Sequence, residues 1–121
     1  MTALQPTEVQ EQWLLDIAEN VDRIERYLED LDLRGFESDE MVRDAVERCL
    51  QRITEAVFRL GESVEQLLPD QDTKGLRGLG NFLRHKYDRV DAKLVWEYVT
   101  TDAPALRAQV LAVIDHKKGT P

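Results

Sequence analysis

The sequence predicts an all-α protein, a four- to five-helix up-and-down bundle, and three observations carry that reading. Apolar residues recur at spacings of three and four over two long stretches, each stretch is bounded by helix-capping residues, and no run alternates apolar with polar residues as a half-buried strand does.

The first stripe, Trp13, Ile17, Val21, Ile24, Leu28 and Leu31, fits one long amphipathic helix. Thr7 with Gln10 three residues on is a capping-box start, and the helix is expected to run to Leu33-Arg34-Gly35, where glycine permits a C-terminal turn. A second stripe, Val42, Val46, Cys49, Leu50, Ile53, Val57 and Leu60, follows Ser38-Asp39 and stops at Gly61. Val64, Leu67 and Leu68 suggest a short extension that Pro69 breaks. From about Thr73 to Tyr87, Leu76, Leu79, Leu83 and Tyr87 share a face, although Gly75, Gly78 and Gly80 each weaken a helix by about 1 kcal/mol relative to alanine. Asp91 caps a short helix containing Leu94, Val95, Trp96 and Val99, and Asp102 with Pro104 opens a last one through Leu106, Val110, Val113 and Ile114. Cys49, on an apolar stripe, reads as a core residue.

A chain of 121 residues that is 42% hydrophobic suits a single domain, 1–121, with its own core. One cysteine excludes an intrachain disulfide and fits the reducing cytoplasm. The N-terminus has neither a basic region nor an apolar run after it, and no stretch approaches bilayer length, so neither secretion nor a membrane is expected. The net charge of −8 argues against a general nucleic-acid coat. The charge is nevertheless uneven. Residues 1–73 carry seven Arg, no Lys and nineteen acids, whereas residues 74–93 carry six bases (Lys74, Arg77, Arg84, Lys86, Arg89 and Lys93) against Asp88 and Asp91. An acidic scaffold thus bears one local anion-binding segment.

At 100° per residue, Lys74, Arg77, Asn81, Arg84 and His85 fall away from the Leu76-Leu79-Leu83 face. Asn81 lies one turn before His85, so an amide and an imidazole can address one ligand. Guanidiniums, an amide and a histidine together can hold a phosphodiester and move protons near neutral pH, and the same arc also reads as a solvated or dimer-contact face. His116 has no metal-ligand partner at suitable spacing and His85 has no cysteine neighbour, so no metal site is expected. The glycines open no phosphate-cradling strand-turn-helix unit, and no cofactor is expected.

The words Gly80-Asn81-Phe82-Leu83-Arg84-His85-Lys86-Tyr87, Val90-Asp91, Val95-Trp96 and Asp102-Ala103-Pro104-Ala105-Leu106 resemble the HepT-like family of the HEPN superfamily. Ile24-Glu25-Arg26-Tyr27-Leu28, Asp44-Ala45-Val46-Glu47-Arg48 and Ile53-Thr54-Glu55-Ala56 extend the likeness over nearly the whole chain. The resemblance implies a dimerising HEPN-like bundle: a metal-independent ribonuclease toxin whose site forms where two subunits meet, encoded beside a minimal nucleotidyltransferase antitoxin. In that family an Arg is followed, after several residues, by His, with a polar residue after the Arg and a Tyr two after the His. Asn81, His85 and Tyr87 match, while Gly80 stands where the Arg belongs. On this resemblance His85 would transfer protons, Asn81 would orient it or the phosphate, and Arg77 or Arg84 would stabilise phosphoryl charge. Lys74, Lys86 and Arg89 would join Arg77 and Arg84 in holding RNA, and Tyr87 would be the antitoxin's AMP acceptor. Gly80 also admits a non-catalytic homologue that binds the nucleotidyltransferase partner or RNA without cleaving it.

Overall fold

The computed structural model describes residues 5–72, 75, 76, 78, 79 and 91–118, and all the regular structure among them is helical. Helix α1 spans Glu8–Leu28. It begins as its sequence dictates, because the Thr7 hydroxyl accepts from the Gln10 N–H at 3.1 Å and the Gln10 side chain accepts from the Thr7 N–H at 2.9 Å. Helix α3 spans Glu40–Leu60, where the Asp39 carboxylate accepts from the Val42 N–H and Gly61 closes the helix at a φ of 62°. Between them lies α2, Leu33–Ser38.

That short helix corrects the expected end of α1. The chain leaves α1 after Leu28, and the Asp32 carboxylate accepts from the Gly35 N–H at 2.8 Å, so Gly35 lies in the first turn of α2 and closes nothing. Phe36 of α2 is buried, its ring 5.5 Å from that of Trp96. Helix α4, Ser63–Leu67, ends before Pro69 as expected.

Helix α5, Ala92–Glu97, starts at Asp91, whose carboxylate accepts from the Lys93 N–H. Helix α6 is Ala103–Lys118, and it carries His116 within its regular length. Asp102 does not begin α6 after a break. Residues Tyr98–Asp102 form a π-helical turn that joins α5 to α6 without interruption, with the Ala103 N–H donating to the Tyr98 carbonyl. Pro104 explains the wider turn. It has no N–H to donate to the Thr100 carbonyl and its ring would crowd that group, which the longer hydrogen-bond step relieves.

Contacts between side chains show how the long helices run. Asp22 meets Arg107 at 2.6 Å and Glu11 meets Lys117 at 2.9 Å, so α6 runs antiparallel to α1. Arg59 stands over Trp13, while Arg23 and Arg26 reach the surroundings of Cys49, so α3 also runs antiparallel to α1. The core lies between α1, α3 and α6, with Ile17, Val21, Ile24, Leu50, Ile53 and Val110 fully buried. Cys49 is one of its members, and burial pushes its thiol pKa up against the opposing pull of Arg52, Arg23 and Arg26. No described helix is long and apolar enough to cross a membrane.

Candidate functional site

The residues expected to carry chemistry, Lys74, Arg77, Asn81, Arg84, His85, Lys86, Tyr87 and Arg89, lie outside the described residues, as does Gly80. The structure does place both flanks of that segment. On its N-terminal side the Asp72 carboxylate accepts from the Gly75 N–H at 2.8 Å, and the Leu76 N–H donates to the Asp72 carbonyl at 3.0 Å. A Cβ on Gly75 would push that carboxylate off its cap, so this glycine serves the local turn. Gly78 faces open space. Leu76 enters the core and Leu79 packs against it, which agrees with the apolar face read from their spacing. On the C-terminal side Asp91 caps α5, and Val95 returns the chain to the core.

The two flanks meet across one cleft of about 610 Å³, lined by Leu76 and Leu79 from one side and by Leu94 and Tyr98 from the other. Asp70, Asp72, Glu97 and Asp102 also line it. The described wall is therefore acidic. Burial foremost, then the charges of Asp102 and Asp72, pushes the Tyr98 phenol far above its ordinary pKa and keeps it protonated. A phosphate would be repelled by this wall, whereas the bases supplied by residues 74–93 are complementary to it. Among the described residues no three His, Cys, Asp or Glu side chains converge to hold a metal ion.

A second cleft, of about 690 Å³, runs between α1 and α3. Trp13 packs half-buried against the core, as its place on the α1 stripe predicts, whereas spacing alone suggests no role for Arg23, Arg48 and Arg52. All four line this cleft, with Asn20 in its floor. The spacing of Trp13, Asn20 and Arg23 along one flank of α1 was a usable signal, as was the use of Arg without Lys throughout residues 1–73.

Bundle, capped flanks and acidic cleft together define an all-α protein that holds a basic, histidine-bearing segment between two anchored ends. Comparison with known proteins is specific: the family model described as "Ribonuclease HepT-like" matches residues 17–113. The chain is 33% identical over 98 residues to the protein of Methanocaldococcus jannaschii named "Putative RNase MJ1380", covering 81% of this chain and 90% of that one. It is 29% identical over 97 residues to the "Probable ribonuclease HepT" of Thermococcus cleftensis, covering 80% and 88%. No solved structure matched. The chain belongs to the HepT-like family.

Proposed function

We propose that this chain is a HEPN-type ribonuclease, a toxin that cleaves RNA without a metal ion and is neutralised by a minimal nucleotidyltransferase. The observation that carries the reading is the family match over residues 17–113, which spans the Asn81-His85-Tyr87 words together with both anchored flanks. Relatives named as ribonucleases cover most of the chain.

In this reading His85 accepts the proton of a ribose 2′-hydroxyl as that oxygen attacks the adjacent phosphorus. The bond to the 5′-oxygen breaks, the leaving oxygen takes up a proton, and a cyclic phosphate remains. Arg77 or Arg84 stabilises the charge that builds on the phosphoryl oxygens, and Asn81 orients His85 or the phosphate. Two copies of the single-domain chain meet along the helix that bears these residues, and the open surface at Gly78 supports close approach there. Lys74, Lys86 and Arg89 hold the strand, Tyr87 accepts AMP from the partner, and the pair works in the cytoplasm.

Incubating the purified protein with RNA beside a His85→Ala control tests this directly. Cleavage by the wild type and none by the variant is expected, and retained cleavage by the variant removes His85 from the mechanism. Gly80 favours a second reading, in which the protein binds its partner or RNA without cutting. Failure to cleave both before and after Gly80→Arg, with the dimer intact, would select that reading.

A further inference from the structure

The α1–α3 cleft has a chemistry of its own. At one end stands half-buried Trp13, with the Arg59 guanidinium 5.8 Å from its ring centroid. Arg59 is itself held by Glu55, Nε to Oε1 at 2.9 Å, so that carboxylate is already engaged. At the other end lie Arg23, Arg48 and Arg52, all exposed. Arg48 donates to Gln51, Arg52 hydrogen-bonds to the Cys49 thiol, and the charge of Arg23 also acts on that thiol. None of these three guanidiniums pairs with a carboxylate among the described residues.

The floor holds a second, independent signal. Asn20 is only 7% exposed, and its Nδ2 donates to the Asp16 carbonyl at 2.8 Å. Its Oδ1 is fully buried with no hydrogen-bond partner. An acceptor left unmade beneath a cleft is expensive, and a turn of the amide towards the cleft would let a bound donor relieve it. Aromatic surface at one end, guanidiniums without a carboxylate partner among the described residues at the other and an acceptor between them are the groups that bind a base, a phosphate and a base amino or ribose hydroxyl. Trp13 and Arg23 are ten residues apart on one helix, about 15 Å at 1.5 Å per residue. That exceeds the reach of one nucleotide and suits a short strand.

We propose that the α1–α3 cleft is a subsite for single-stranded RNA, with a base against Trp13, a donor on Asn20 and phosphates on Arg23, Arg48 and Arg52. The assignment rests on the ribonuclease reading but uses residues outside the segment that carries catalysis. Asp16 and Glu19 on the α1 rim supply acceptors for ribose 2′-hydroxyls, which favours RNA over DNA at the same charge.

The test uses full-length His85→Ala protein, so that RNA is bound without turnover, and a ten-nucleotide oligouridylate. In a Trp96→Phe background Trp13 is the sole tryptophan, and RNA should quench its fluorescence. Arg23→Ala with Arg52→Ala should weaken binding at least tenfold. Losing two phosphate contacts should also flatten the slope of log affinity against log salt by about 1.4. Asn20→Leu should weaken binding while leaving stability unchanged or raised, because it removes an orphaned acceptor at similar volume. A destabilised Asn20→Leu protein that binds RNA normally would make that amide purely structural and overturn its role. If the arginine variants bind RNA with wild-type affinity while the wild-type protein cleaves it, the subsite is refuted and the ribonuclease reading stands. If RNA quenches Trp13 but the wild-type protein, with His85 intact, never cleaves it, the subsite stands and the ribonuclease reading falls. Equal affinity for a 5′-mononucleotide and for the oligomer, or for the DNA oligomer of the same length, would overturn the RNA-strand assignment.

Discussion

Shortening Leu76 to alanine measures how firmly the basic segment is fastened to the bundle. Leu76 is 4% exposed and belongs to the same core as Leu50 and Ile53. Leu76→Ala removes roughly three methylene-sized groups at about 0.8 kcal/mol each, a transfer loss of about 2.4 kcal/mol. A residual cavity raises the cost of burying less, so that measured Leu→Ala changes run to about 5 kcal/mol where the surroundings cannot collapse. Leu76 already lines the 610 Å³ cleft, so the extra cavity term is small there. We therefore expect about 2–3 kcal/mol for Leu76→Ala, against about 4 kcal/mol for Ile53→Ala in the closed core. Urea denaturation at constant m-value reads both as midpoint shifts. A Leu76→Ala protein within about 0.5 kcal/mol of wild type, the range of an ordinary surface change, would refute the anchoring argument. A loss equal to that of Ile53→Ala would refute the role given to the cleft.

Three further outcomes follow from single residues. Gly61 has a φ of 62° and a ψ of −141°, a region reserved for glycine, and an added Cβ meets nothing within 4 Å. Gly61→Ala should therefore cost about 1–3 kcal/mol by backbone strain alone, measured by thermal or urea unfolding. Tyr98 has its folded-state pKa raised by burial first, so its stabilising contribution is complete below the ordinary phenol pKa of about 10 and is lost as pH rises towards the raised value. Stability should consequently fall above about pH 10 with up to one proton's slope, about 1.4 kcal/mol per pH unit, and Tyr98→Phe should remove that component; an unchanged alkaline slope would show that Tyr98 titrates normally. Thr7→Ala breaks one half of the capping box and should cost about 1 kcal/mol, with amide exchange increasing in the first turn of α1 and not in α3.

The elements most legible in the sequence were those decided by neighbours a few residues apart. Thr7, Asp39 and Asp91 each cap a helix through their own side chain, and Gly61 ends one because it alone tolerates that backbone. The buried faces of α1 and α3 follow from spacing in the same way. The break after Leu28 was not legible, because Leu33-Arg34-Gly35 reads equally as a helix end or a helix beginning. The Asp32 cap and the docking of Phe36 on Trp96 accompany the second choice, and Trp96 is far along the chain. Pro104 was visible, but its π-helical turn depended on a continuous path from α5 into α6.

The same division runs through the functional residues. The helical class, the family words around His85 and the concentration of bases in residues 74–93 can be read along the chain, since each is a property of composition or short-range order. Helix packing brings the flanks of this segment together across an acidic cleft and sets Trp13, Asn20 and Arg23 facing Arg48 and Arg52. Helical periodicity says which residues share a flank, but the antiparallel pairing of α1 with α3 sets which flanks meet. That pairing is the outcome of burying two apolar stripes against each other, a long-range event with no counterpart in any one stretch of sequence.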